Sequence, residues 1–476
     1  MRNRLLENSP LLKLAVFMMA GIVVGHYVMV LTPLQLLLLL AVAVFLALMM
    51  RRNGQLQSLA ICVCFAVLGW FLTVWHKTSE PVWPEEKVVY EAVVTSRPIE
   101  NPKTMAIDVV LIGSGHTLKC YLYKDGRSKS LKIGDGLKIQ SRMENGRTFV
   151  TSWDWQRSRP TLSSLSVLTR TRLFFLKLRS RLLERFDVED ADDDAYAVVA
   201  AMTLGDKSAL TKELKDTYAI TGASHVLALS GLHLGIIYML LSFLTVGHRW
   251  QTMTQIFIVM SVWLFVFLVG MSSSVVRSAI MLSVYALLQL GYREKMSINT
   301  LAFTAIVMLM ANPLSLFDVG FQMSFMAVFF ILLFMPLFNE LIAQKNLMSH
   351  RVVKWFWSIF AVSCAAQIGV APLIAYYFGR FSTYFLLTNL IVLPAAMLIL
   401  YLSLVVLLIP SFAYLLLYIV SRLNAALIRI ATMPYASIED LHPSIMQVVM
   451  IYVIILAGYI LMERLLRIKA LPAGEC

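Results

Sequence analysis

Charge is what this chain has little of: 14% of its 476 residues are Asp, Glu, Lys or Arg, while 59% are hydrophobic. A soluble domain carries roughly 25% charged and 45–50% apolar residues. The balance excludes an ordinary globular protein and predicts an α-helical polytopic membrane protein. Cysteine is scarce as well. Of Cys62, Cys64, Cys120, Cys364 and Cys476, only Cys120 falls in a polar region, which excludes a disulfide framework. No Gly-x-x-x-x-Gly-Lys-Ser/Thr loop occurs, so no ATP motor is expected within the chain. No His-rich metal motif occurs, and neither a metal nor another cofactor is expected. The first apolar segment lacks a small-residue cleavage site and leads into another span, so a cleaved leader is not expected either.

What is present is a series of long apolar runs. A membrane-crossing helix needs roughly 20 mostly apolar residues. About twelve candidate spans follow: 11–31, 34–50, 57–75, 225–246, 253–270, 272–290, 297–311, 317–338, 355–378, 382–408, 411–432 and 444–462. The region 253–290 suits either two spans or a re-entrant hairpin. The net charge is +13. Arg2, Arg4, Lys13, Arg51, Arg52, Arg249, Arg293, Lys295, Lys345, Arg351, Lys354, Arg464, Arg467 and Lys469 all fall on one side if the N-terminus is cytoplasmic. That alternation puts both termini in the cytoplasm and 76–224 outside. Four regions result: N-terminal spans 1–75, an external domain 76–160, an interfacial helix and acidic linker 161–193, and a membrane domain 194–476.

Within the external domain, 87–95, 104–112, 117–123, 136–143 and 147–151 read as short strands between Asn-Pro, Gly-Ser-Gly, Asp-Gly and Asn-Gly turns. Five such strands suit a small OB-like β-barrel. Between 97 and 147 ten bases face five acids, Glu100, Asp108, Asp125, Asp135 and Glu144. Lys119, Tyr121, Tyr123, Lys124, Arg127 and Lys129 are the candidate DNA-binding residues, with Phe149 as a further stacking face. A solvated basic surface beside a membrane is the competing reading. Residues 168–186 are basic and amphipathic and suit a helix lying on membrane lipid. The acids Asp187, Glu189, Asp190, Asp192, Asp193 and Asp194 lack the spacing of a calcium loop and read as a solvated helix start.

Polar residues inside apolar runs are costly and usually face a pathway or a partner helix. His225, Ser230 and His233 open the run 225–246. They suit a polar pathway lining, a packed helix contact, or a serine nucleophile with a histidine base. Arg277 and Asp318 lie at matched depth in their runs and suit an ion pair at a vestibule. Gln322 continues the face of Asp318 one turn on. Gln367 and Asn389 sit mid-span, and Arg380 sits in a loop on the same side as the Arg277 end. These residues are the pathway candidates.

Four motifs occur in order: Ala200-Ala201-Met202-Thr203-Leu204-Gly205-Asp206-Lys207; Thr221-Gly222-Ala223-Ser224 leading into His225-Val226-Leu227-Ala228-Leu229-Ser230-Gly231-Leu232-His233-Leu234-Gly235; Ser274-Val275-Val276-Arg277-Ser278-Ala279-Ile280-Met281; and Asn312-Pro313 through Asp318-Val319-Gly320-Phe321-Gln322-Met323-Ser324-Phe325. Over about residues 196–400 the set resembles the competence domain of the ComEC family. The resemblance implies an OB-like domain where the strands fall. It implies a channel, not an enzyme, that admits single-stranded DNA through the bacterial inner membrane during natural transformation. Its implied partners are single-stranded DNA, an external DNA receptor, a cytoplasmic ATPase or helicase and single-strand-binding proteins. Many members continue into a metallo-β-lactamase-like domain; this sequence departs from that pattern, so nuclease activity is not carried over to it, and a separate nuclease is one possible partner. Two other classes compete: a secondary transporter or flippase, which would tend to show inverted repeats, and an intramembrane enzyme using Ser230 and His233.

Overall fold

The computed structural model describes residues 9–79, 86–143, 146–159, 165–188, 192–244, 251–290, 298–341 and 351–470. Arg2, Arg4, Arg249, Arg293, Lys295 and Lys345, used above to orient the spans, lie outside these residues, as do Glu144, Glu189 and Asp190.

Three apolar helices come first: α1 (Pro10–Tyr27), α2 (Pro33–Met49) and α3 (Gly54–Thr78). Thr32 and Gln35 cap α2 reciprocally, each side chain accepting from the other's backbone N–H. Two glycines set the closeness of α1 and α3. A Cβ at Gly21 would stand 1.8 Å from the carbonyl oxygen of Ala66, and one at Gly69 2.3 Å from that of Met18. Small residues let apolar helices meet backbone to backbone where lipid offers no hydrophobic drive.

The polar region folds as β1 (Val88–Val94), β2 (Ile99–Glu100), β3 (Thr104–Leu111), β4 (Thr117–Tyr123), a one-turn α4 (Gly126–Lys129), β5 (Gly136–Ser141), β6 (Arg147–Val150) and β7 (Trp155–Ser158). The sheet order is β6-β4-β3-β1-β5-β7, with β2 added on β3. Every pairing is antiparallel except β4 with β6. One face of alternating residues, among them Ala92, Val94, Ile107, Leu118, Cys120, Leu122, Leu137 and Trp155, forms the core. The expected barrel is not closed. A strand has two edges, and β5 gives one to β1 and the other to β7. None remains for β6, so the sheet ends in two open edges.

Helix α5 (Val167–Leu183) packs part of its surface on protein. Leu173 and Leu176 pack under Val93, Val110 and Ile133 of the sheet, and Phe175 stacks on Phe267 of a later helix at 5.8 Å. It is a wedge between the sheet and the helical bundle. Val167, Leu168 and Phe174 stay exposed on it.

The bundle continues with α6 (Asp193–Leu204), α7 (Lys212–Ile220), α8 (Ser224–Leu227), α9 (Gly231–Leu244), α10 (Gln251–Leu268), α11 (Ser273–Leu290), α12 (Ile298–Ala311), a 3-10 turn (Pro313–Phe317) and α13 (Val319–Leu341). Then come α14 (Arg351–Phe378), β8 (Phe381–Ser382), α15 (Phe385–Leu408), α16 (Ala413–Ala431), β9 (Ser437–Ile438) and α17 (Ile445–Ala470). Asp192 accepts from the N–H of Asp194 and opens α6, which is the helix-start role expected of the acid run. From Ala197 onward α6 is buried against Val392, Ala396 and Ile399 of α15 and Leu416, Val420 and Leu423 of α16.

Eight of the described helices are long and apolar enough to cross a membrane, rather than twelve. The four apolar helices α9 to α12 run 14, 18, 18 and 14 residues and, by their described residues, are not counted among the eight. At 1.5 Å per residue the 14 residues of α9 and of α12 reach only about 21 Å, short of a hydrocarbon core of about 30 Å. The expected span 225–246 is broken at its start: α8 ends at Leu227, and a new helix begins only at Gly231. The chain is thus a multi-pass membrane protein whose four shorter apolar helices fall, along the sequence, between longer ones.

Candidate functional site

That break explains Ser230 and His233. Ser230 stands immediately before α9, where the first backbone N–H groups have no helical partner. His233 Nδ1 accepts from Ser230 N–H at 3.3 Å and lies 3.2 Å from Ser230 Oγ. A backbone N–H can only donate, so Nδ1 is the bare nitrogen and Nε2 carries the proton. This is the reciprocal half of a capping box, with a histidine in the place usually held by Glu or Gln. The imidazole is fully buried, and among the described residues its Nε2 has no hydrogen-bond partner. A serine–histidine nucleophile needs a third group to orient the base, and none touches Nε2. His225 is not on this helix. It is exposed on α8, with Nδ1 3.1 Å from the carbonyl of Gly222.

Arg277 and Asp318 do meet, as their matched depth predicted. Arg277 Nη1 lies 3.4 Å from Asp318 Oδ2 and 3.4 Å from Ser273 Oγ, one turn back on α11. Asp318 Oδ1 accepts from Gly320 N–H at 3.2 Å and so caps α13. Gln322, one turn further, ties two neighbours together: Nε2 donates to the carbonyl of Leu316 at 3.0 Å, and Oε1 accepts from the hydroxyl of Tyr377 at 2.8 Å.

The remaining candidates are scattered. Arg380 follows Gly379, whose φ of 65° turns the chain out of α14. It forms no hydrogen bond or ion pair among the described residues, and neither does Gln367. Among the described residues Asn389 Oδ1 is buried without a partner near the start of α15, as is Thr388 Oγ1. Ser382 and Ser437 oppose each other across β8 and β9, and their hydroxyls also lack partners.

On the sheet, β4 and β6 run in parallel register with Lys119 beside Arg147 and Tyr121 beside Phe149. Tyr121 and Phe149 stack at 4.9 Å and 15°, and Lys119 Nζ stands 6.0 Å above the Tyr121 ring. Phe149 and Tyr123 are exposed. Lys119 and Arg147 form no ion pair among the described residues. The other basic candidates are engaged locally. Lys124 and Lys129 both pair with Glu100. Their proximity holds the Glu100 carboxyl below the usual carboxylate range, mainly through its hydrogen bond and charge contact with Lys124. Arg127 bonds Asp125 and the carbonyl of Ser152, and lies 5.1 Å over the Trp155 ring. The outward stripe is therefore Lys119, Tyr123, Arg147 and Phe149 with Tyr121 half-buried among them, carried by the alternation of β4 and β6.

A network unsuspected from the sequence joins this sheet to the bundle. Arg97, just past β1, donates to Ser180 of α5 at 2.8 Å and lies 3.7 Å from Asp206, a buried acid after α6. Arg179 of α5 donates to the carbonyl of Val269 at 3.3 Å. Val269 begins the turn before α11, in which Gly270 and Met271 both have positive φ. The basic pattern of α5 was the available signal, but it reads equally as lipid contact.

The pathway candidates lie in a stretch with known relatives. A profile of the Competence protein family matches residues 202–465. ComE operon protein 3 of Bacillus subtilis (strain 168) is 28% identical over 241 residues, 50% of this chain and 30% of that protein. An uncharacterized protein of Aquifex aeolicus (strain VF5) is 29% identical over 235 residues, 49% of this chain and 50% of that protein. This chain thus spans half or less of the length of the curated relatives it matches. No solved structure matches it. The profile takes in Asp206, Ser230, His233, Arg277 and Asp318 and runs over more than half of the chain, which therefore belongs to the Competence protein family.

Proposed function

We propose that the chain serves DNA uptake in bacterial competence by conducting single-stranded DNA across the cytoplasmic membrane. In this reading the sheet domain faces outward as an OB-like platform, both termini are cytoplasmic, and the short helices α9 to α12 with α13 line the route. The observation that carries it is the stripe on β4 and β6. Stacked aromatics flanked by unpaired bases suit a nucleic acid single strand, because every base offers a ring face and every nucleotide a charge. A polyanion cannot cross hydrocarbon and needs a polar or cationic route, for which Arg277, Asp318, Gln322, Gln367, Arg380, His225, Ser230 and His233 are the proposed contacts. No phosphate loop occurs in the sequence, so the motor is a separate ATPase or helicase. An external receptor, cytoplasmic single-strand-binding proteins and a separate nuclease complete the pathway.

The test is deletion of the gene in a transformable host, followed by labelled DNA. The expected result is DNA that reaches the outer face of the cytoplasmic membrane in a nuclease-accessible form but does not enter the cytoplasm. Normal entry in the deletion strain overturns the reading.

A further inference from the structure

The Arg277–Asp318 pair is lopsided. The arginine side chain is 3% exposed and the aspartate side chain 47%. One contact joins them at 3.4 Å, where a charge-assisted N–H···O bond runs at roughly 2.7–2.9 Å. A guanidinium free to choose binds a carboxylate through two parallel bonds. Here Nη1 is divided between Asp318 and Ser273, and Nε is buried with no partner among the described residues. A buried charge held on such terms is under-compensated. The second carboxylate oxygen takes the N–H of Gly320 in the first turn of α13. Gly320 also keeps the space open: a Cβ there would stand 3.3 Å from Arg277 Nη2 and 3.5 Å from Asp318 Oδ2. One anionic group thus sits with one oxygen on a helix start and the other toward a buried guanidinium, which is how proteins hold an oxyanion.

We propose that this is a phosphate seat kept by a built-in surrogate: Asp318 holds Arg277 in the resting protein, and a phosphodiester of a passing strand takes its place. The proposal rests on the reading of the chain as a DNA route. The half-exposed carboxylate can swing into solvent while the buried Arg277 cannot follow. Exchange of one anion for another keeps the buried cation compensated throughout. It also keeps phosphate from being trapped, since conduction needs binding firm enough to enter and weak enough to leave.

The probe is dimethyl phosphate, a singly charged diester, added at constant ionic strength to the purified full chain in detergent. Binding is read by calorimetry and by the shift of the thermal unfolding midpoint. Asp318→Asn removes the competing charge and is expected to bind the probe about fivefold more tightly than the unaltered chain, the worth of one half-exposed ion pair. Arg277→Gln is expected to abolish binding. Because losing a buried partner can impair folding, the double variant Arg277→Gln with Asp318→Asn provides a second chain without the cation; it too should bind nothing while unfolding near the normal midpoint. Equal affinity in Asp318→Asn and the unaltered chain, or binding that survives the loss of Arg277, overturns the proposal. Probe binding as expected in a chain whose deletion leaves DNA entry intact would keep an anion seat and sink the route. Blocked entry with no probe binding would do the reverse.

Discussion

Arg179, buried in α5, donates through Nη1 to the carbonyl of Val269 at 3.3 Å, across 90 residues of sequence. A side chain on the wedge helix thereby holds the turn that launches α11, and α11 carries Arg277 two turns or less further on. Arg97 ties the sheet to the same wedge through Ser180 and to the bundle through Asp206.

Removing the donor should loosen the sheet domain without unfolding the bundle. Arg179→Met keeps most of the stem packing and leaves the Val269 carbonyl unpaired, a cost of about 1–3 kcal/mol. The expected outcome is faster tryptic cutting of the purified chain after Arg170, Arg172, Lys177 or Arg181 of α5, while Arg422 and Arg429 of α16 stay uncut. Unchanged cutting would show that Arg179 does not fasten the domain.

The stripe on β4 and β6 makes a prediction about which residues matter. Phe149→Ala and Tyr121→Ala should each weaken binding of a labelled oligothymidine to the full chain by about 1–3 kcal/mol, read by fluorescence anisotropy at low salt. Lys124→Ala or Lys129→Ala should matter less, because Glu100 already holds both. The Glu100 carboxyl is depressed in the folded chain, so that pairing is intact above the unfolded value and is lost only as pH falls through the lowered folded value. Binding should therefore be flat between about pH 5 and 8. A larger loss from the lysines than from the rings would move the interface to the α4 turn.

His233 should be replaceable by a residue that makes the same bond. Glutamine at this position can accept from the Ser230 N–H, as in an ordinary capping box. His233→Gln should retain most DNA entry, whereas His233→Leu should lose about 0.5–2 kcal/mol of stability, read as a lower unfolding midpoint. Ser230→Ala should leave entry nearly normal. Complete loss of entry in well-folded Ser230→Ala would revive the nucleophile reading.

Sidedness can be read with a thiol probe, because the native sheet is silent. Cys120 is fully buried and burial pushes its thiol up to about 12, so it offers no thiolate at neutral pH. Ser114 lies in an exposed turn between β3 and β4. Ser114→Cys should react with a membrane-impermeant maleimide in intact spheroplasts. Reaction only after lysis would place the sheet domain in the cytoplasm.

How much of this was legible depended on range. Arg277 and Asp318 could be paired in advance because each is a lone charge in an apolar run, and lone charges at equal depth seek one another. Ser230 and His233 were visible as neighbours, three residues apart, but their task was not: apolar periodicity runs through 225–246 unbroken, and only the backbone shows that a new helix begins at Gly231. The strands were legible from their turns. Their order was not, since alternation says which face is buried and nothing about which edge β7 takes. Glu100 neutralises Lys124 and Lys129 across a β2–β3–β4 fold-back, and Arg97 reaches Asp206 over more than a hundred residues. Neither leaves a local trace.

The sheet's two free edges carry a consequence for how copies of this protein behave when crowded together. An unpaired strand edge is a template on which another chain can add and aggregate. Both edges here are brief, four residues each in Arg147–Val150 and Trp155–Ser158. Arg147 stands on one and Arg157 on the other, and like charges resist self-association. Opening the sheet has left it short, cationic borders that repel a neighbour's, so the domain can stay unclosed without polymerising.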